Sequence, residues 1–270
     1  MTNAYKDHLK NCLDKHLNRQ ETEWLEQQQT KLVQEPSEKN IFLAFALIAR
    51  KIRKSPITFA CPLQEETDTI WSDTWSLHQV ARIYLLLSLD VAPPHLNKIV
   101  ERLCDLGDVE EAATLYKGLH LLPEPERYLE CALKATRSNM VPVFLAICHY
   151  SPFPFLYFSE DAWNNMILKA LFLSEPLYPV YGFDQRAKRK LKKMAYDYAK
   201  ERVAANRKLP LDIWRCMSHD LDQDVWRMMH CYAQTGSDEE KDAILSALAG
   251  DENKESFQLI DEIRNGREKP

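Results

Sequence analysis

Residues 139–173 read NMVPVFLAICHYSPFPFLYFSEDAWNNMILKALFL, and this stretch decides the fold. At the chain's 28% charged residues, a segment of this length would hold about ten charges, yet only Glu160, Asp161 and Lys169 carry one. It therefore reads as the middle of a core. The span 140–149 is apolar on every helical face, through Met140, Val141, Val143, Phe144, Leu145, Ala146, Ile147 and Cys148, so neighbours must surround it. In 160–173, Trp163, Met166, Ile167, Ala170, Leu171 and Leu173 cover one broad side, with Leu168 and Phe172 on the other. Neither crosses a membrane, because Pro152 and Pro154 interrupt the run well short of the ~20 residues a bilayer demands.

Outward from this centre, apolar spacing of three and four recurs, and alternating strand patterns do not. The spacing predicts helices over 4–17, 21–34, 38–54, 75–89, 94–106, 109–121, 125–137, 140–149, 160–173, 187–205, 211–217, 222–234, 238–249 and 254–264. Pro94 marks a helix start and Gly107 an end, while Asp108 with Glu111 and Ser237 with Glu240 have capping-box spacing. Residues 55–72, with Pro56 and Pro62, read as a long connection without a clear pattern, an ordered surface loop. Helices this short need neighbours. The expected fold is all-α: an array of short antiparallel helical hairpins, a HEAT-like or degenerate α-α superhelix. The organisation expected is N-terminal helices and a loop over 1–74, a core over 75–217 and C-terminal hairpins over 218–270, in one continuous domain.

The 270 residues carry a formal charge of -5, which supplies no general attraction to nucleic acid or anionic lipid. The 7 cysteines lack any Cys-x-x-Cys pair or Cys/His zinc framework and read as reduced thiols. With no signal peptide in the polar first residues, the expected location is the cytoplasm. There is no Gly-x-Gly-x-x-Gly, Walker A, His-Glu-x-x-His or Gly-x-Ser-x-Gly, and no Glu-x-x-His of a di-iron bundle, so no cofactor and no metal are implied. His149 reads as a packed or capping histidine rather than a catalytic one.

Candidate recognition groups are the polar residues that border the apolar centre. Asn165 and Lys169, four apart, share a stripe that faces either solvent or a polar cavity. If buried, Lys169 needs a carboxylate, and Asp184 is the nearest plausible one. Asn164, between Leu168 and Leu171 on the wheel, reads as a core hydrogen-bonding group or a ligand contact. Arg186 lies in the turn before helix 187–205 and could point inward. The cations Arg189, Lys190, Lys192 and Lys193 fall away from the buried stripe Leu191, Met194, Ala195 and Tyr198, which predicts a solvated face. The run 150–158 joins rigid prolines to five aromatics, either as a plug over the helices or as a hydrophobic lip of Phe153, Phe155, Tyr157 and Phe158.

An ordered series of motifs resembles the EboA-domain family: Trp75 with Gln79 and Arg82, Leu122-Pro123 with Pro125-Glu126-Arg127, Arg137-Ser138-Asn139, and the Pro-Phe-Pro turn. It continues with Ala162-Trp163-Asn164-Asn165-Met166, Leu168-Lys169-Ala170-Leu171-Phe172, Gly182-Phe183-Asp184-Gln185-Arg186-Ala187, Glu201-Arg202 and Trp214-Arg215, over about 75–217. The chain departs from the family pattern at Ser151, Lys188 and Lys200. What the resemblance implies is a place in an ebo cluster of metabolite-traffic genes, which moves cytoplasmically made secondary metabolites, and no mechanism. The partners it implies are other ebo-cluster proteins, among them a membrane prenyltransferase, and an apolar or prenylated metabolite.

The function expected is a non-catalytic scaffold or metabolite-binding protein, with Arg137, Asn139, Asn164, Asn165, Lys169, Asp184 and Arg186 as ligand contacts and no catalytic residue. One alternative is an enzyme with Asp184 or Lys169 as acid-base group. Another is peripheral docking on the membrane prenyltransferase or lipid through the aromatic run.

Overall fold

A computed structural model describes residues 2–62, 70–186, 189–218, 221–249 and 254–267. It divides into two compact units, Met1–Phe158 and Ser159–Pro270, and the division falls inside the segment 75–217. The first holds α1 (Thr2–His16), α2 (Arg19–Gln34), α3 (Glu38–Lys51), strands β1 (Pro56–Pro62) and β2 (Ile70–Ser76), and α4 (Leu77–Leu87). It goes on through α5 (Pro93–Leu106), α6 (Val109–Gly118), 3-10 turns at Leu119–Leu121 and Pro125–Tyr128, α7 (Leu129–Arg137), α8 (Val141–Cys148) and α9 (Phe153–Tyr157). The second holds α10 (Glu160–Phe172), α11 (Phe183–Arg186), α12 (Arg189–Ala204), α13 (Ile213–Met217), α14 (Gln223–Thr235), α15 (Asp238–Leu248) and α16 (Lys254–Arg267). The fold is mostly all-α, as the periodicity requires.

Residues 55–72 differ from the sequence expectation. Instead of a patternless loop, β1 and β2 pair as an antiparallel hairpin in register Ile57↔Trp75 and Phe59↔Asp73, while 63–69 lie outside the described residues. Ile57, Phe59 and Trp75 are buried on one face, with the Phe59 and Trp75 rings 5.8 Å apart. The same face buries Asp73, which Lys117 neutralises. A carboxylate at an inward position hides the apolar alternation that would announce a strand.

Local signals set the helix ends elsewhere. Asp108 accepts from the Glu111 backbone N–H while Glu111 accepts from that of Asp108, and Ser237 with Glu240 repeats the arrangement. Gly107 ends α5 with φ at -69°, so handedness is not why glycine sits there; a Cβ would lie 2.6 Å from the Leu103 carbonyl oxygen. In the first unit α6 packs against α5 and α8, and α8 against α7 and α9. Val143, Phe144, Ile147 and Cys148 of α8 are buried, but Met140 and Val141 at its start are exposed. This helix is therefore covered on most sides rather than on all. In the second unit α12 packs on α10 and α13, α13 packs on α15, and α14, α15 and α16 pack against one another.

Lys192 departs from the solvated face expected of its neighbours. It is buried, with Nζ 3.1 Å from Asp222 Oδ2, because the N-cap of α14 brings a carboxylate to the edge of the α12 stripe. Arg189, Lys190 and Lys193 are exposed as expected, and Ala187 and Lys188 lie outside the described residues. Among the described residues, no helix is long and apolar enough to cross a membrane. Cys12, Cys104, Cys131, Cys148, Cys216 and Cys231 are free thiols.

Candidate functional site

The site is built where α10, α11 and α13 meet in the second unit. α10 starts at Ser159, whose hydroxyl accepts from the Ala162 N–H, with Glu160 and Asp161 in the first turn where the helix dipole favours acid. Trp163, Met166, Ile167, Ala170 and Leu171 then bury one stripe. Asn164 falls on the buried side with them at 0% exposure. Neither its amide nitrogen nor its amide oxygen has a hydrogen-bond partner, nor has the indole N–H of Trp163 beside it. Each such group forfeits hydration without return, at about 1–3 kcal/mol.

Gly182 brings α11 to this wall. Its φ of 69° lies in the left-handed region, which a residue with a side chain adopts only under strain, and its carbonyl accepts from the Arg186 N–H at 3.1 Å. The tight turn points Phe183 into the core and leaves Asp184 outside. The Arg186 guanidinium lies 4.8 Å from the centre of the Trp163 ring, a cation–π contact, and burial lowers its pKa against the raising field of Glu160. Arg215, from α13, covers Phe183 at 4.7 Å and grips Asp184 through both carboxylate oxygens, Nε to Oδ1 at 3.0 Å and a terminal nitrogen to Oδ2 at 2.6 Å. Two guanidiniums are thus each stacked on a buried ring, one of them bound to a carboxylate. Trp214, next to Arg215, is fully buried against Tyr232 with its indole N–H unpartnered.

This arrangement suits recognition. Guanidinium and amide donors beside apolar walls can orient a carboxylate, phosphate or carbonyl group. Among the described residues, no group of three or more His, Cys, Asp or Glu side chains is placed to hold a metal ion.

Of the seven predicted ligand contacts, Asn164, Lys169, Asp184 and Arg186 fall on α10 and α11, with Lys169 and Arg186 half-buried. Asn165 is on α10 but exposed. Arg137 and Asn139 belong to the first unit and are exposed. Asp184, expected as the partner of Lys169, is held by Arg215. Arg215 was missed as a site residue because nothing in local spacing links positions 31 apart. In the aromatic run Phe153 and Phe158 are buried, their rings meeting edge to face at 6.2 Å, and Phe155 and Tyr157 are half-buried. Two of the four predicted lip residues are therefore core.

The first unit carries a second polar cluster. Arg82, fully buried, donates to the Phe45 carbonyl at 3.3 Å and to Glu111 at 3.4 Å. One turn earlier, the buried His78 sits 2.8 Å from Glu110, whose other oxygen accepts from Lys54 at 2.6 Å. Burial lowers the His78 pKa against the pull of Glu110. For Glu110, burial pushes upward, but the hydrogen bonds from Lys54 and His78 prevail and hold the carboxyl below its ordinary value.

A mostly all-α chain thus carries, in its second unit, a buried unpaired amide and two ring-stacked guanidiniums beside apolar side chains. The chain matches the family described as metabolite traffic protein EboA over residues 5–218, and it belongs to that family. The match begins well before position 75, so α1 to α4 and the hairpin are part of the family fold. Membership connects the chain with metabolite traffic. No curated protein and no solved structure matches it.

Proposed function

We propose that the chain is a non-catalytic helical binding protein of metabolite traffic, which holds at α10 a largely apolar small molecule with an anionic or carbonyl end. The observation that carries this reading is Asn164, a fully buried amide with neither atom hydrogen-bonded. A side chain kept for packing alone would be replaced by Leu without loss. Kept for a ligand, the amide is satisfied only on binding. Trp163 supplies the adjoining apolar wall, and Arg186 the positive charge.

The test is Asn164→Leu. In the absence of ligand this variant gains about 1–2 kcal/mol in urea unfolding, because a stranded polar group is removed. Native mass spectrometry of the wild-type chain isolated from its producing cells shows a bound metabolite, and the variant loses it. A variant that is destabilised and retains whatever the wild type binds would overturn the reading. An enzymatic role through Asp184 is less well supported, since that carboxylate is exposed and already bound bidentately by Arg215.

A further inference from the structure

An open cleft lies in the first unit. It has a volume of about 680 Å³ and runs between the N-terminal half of α2 and the end of α3 with the segment that follows it. That volume is within the range that accepts a small organic molecule. The charges around it are unequal: Arg50, Lys51, Arg53 and Lys54 face Glu21 and Glu23.

The pairings sharpen the imbalance. Glu21 is consumed by its capping box with Asn18, by the Arg53 backbone N–H at 3.0 Å and by the Arg53 guanidinium, which also bonds the His16 carbonyl. Glu23 is paired with Arg19, and Lys54 with Glu110. Among the described residues, this leaves Arg50 and Lys51 exposed with no carboxylate. Trp24, half-buried, gives the cleft an aromatic surface, and Gln20 and Gln27 add amides. Cations at the end of α3 suit its dipole, but the dipole explains neither the cleft nor the tryptophan in its wall.

We infer that this cleft binds a small aromatic anion, its ring against Trp24 and its carboxylate or phosphate on Arg50 and Lys51. The acid would replace the missing counter-ion, and the flat ring would cover the indole that water now wets. The Arg53–Glu21 pair, fixed by four hydrogen bonds to backbone and side chain, is the rigid floor beneath them.

Isothermal titration of the full chain tests this with four probes: 1-naphthyl phosphate, 1-naphthoate, 1-naphthol and inorganic phosphate. At least one naphthyl anion binds with 1:1 stoichiometry, and both 1-naphthol and inorganic phosphate bind at least about tenfold more weakly. Affinity falls as salt is raised. The double variant Arg50→Glu with Lys51→Glu, and separately Trp24→Ala, each weaken the anion about tenfold or more, with unchanged circular dichroism. Asn164→Leu leaves this binding untouched, which separates the cleft from the α10 site. Equal affinity in the charge-reversed and wild-type chains overturns the inference. So does binding of 1-naphthol or of inorganic phosphate as tight as that of the naphthyl anions, since either removes one half of the recognition.

Discussion

Arg82 and Asn164 are both at 0% exposure, one in each unit, and their surroundings are opposite. Arg82 reaches a carbonyl and a carboxylate through two of its nitrogens, the third having no partner, and its guanidinium stacks at 5.1 Å on Phe45. Asn164, which carries no charge and would be cheaper to satisfy, has no partner. A buried charge without a partner is intolerable to a fold, whereas an unpaired amide is a bearable loss of about 1–3 kcal/mol. Only the second kind of defect can be left open for something else to fill. Arg82 with Glu111 is structural by this argument, and Asn164 is the group that the proposed ligand would satisfy.

The sharpest way to break that comparison is Arg82→Ala. It leaves Glu111 without its cation and opens a cavity in the packing of α3, α4 and α6, so it lowers unfolding free energy by about 3–5 kcal/mol in urea titrations. Arg82→Met, which keeps most of the packing, lowers it less. If Arg82→Ala costs under about 1 kcal/mol, partnering is not what holds this cluster, and the contrast with Asn164 loses its meaning.

Histidine gives a second contrast, with pH as the probe. Burial pushes the His120 pKa down to about 3, well under the ordinary value of 6.5. The unfolded chain therefore binds a proton between those values that the folded chain refuses. Stability is fully present above pH 6.5 and falls as pH drops, by about 2 kcal/mol at pH 5 from this residue alone. In His120→Gln the loss between pH 7 and pH 5 is smaller by that amount, measured by urea unfolding at each pH. An unchanged slope shows that His120 takes up a proton in the folded chain.

Much of this could be read from the sequence, and the exceptions share a cause. The helices and the capping boxes at Asp108 and Ser237 were legible because each depends on neighbours within one or two turns, whereas the charge-depleted stretch 139–173, read as one core, is divided between the two units. The hairpin was not, because Asp73 occupies an inward position that only Lys117, 44 residues on, makes tolerable. Asn164 was legible as an odd polar residue on an apolar helix, but whether it has a partner depends on the chain folded around it. Arg215 was invisible as a site residue for the same reason. The α2–α3 cleft left no mark either, since its cations look like ordinary helix-end residues until the pairing of Glu21 and Glu23 is known.

Lys192 and Asp222 test the rule inside the second unit, at the smallest scale. Their 3.1 Å contact joins a buried ammonium to a carboxylate that is 55% exposed, so solvent screens one end. Asp222 also caps α14 by accepting from the Val225 N–H, and that bond, against the upward push of burial and with help from Lys192, holds its carboxyl below the ordinary value. The depressed pKa means that the stabilisation is present above about pH 4 and is lost as acid protonates the folded carboxylate. Asp222→Asn keeps an acceptor for the cap and removes only the charge, so it costs less than about 1 kcal/mol at pH 7, while Asp222→Ala loses the cap as well and costs about 1–2 kcal/mol. Lys192→Met in the Asp222→Asn background recovers stability to the extent that Asp222 is the anion holding the buried ammonium. If that double variant is less stable than Asp222→Asn alone, the ammonium is held by more than Asp222.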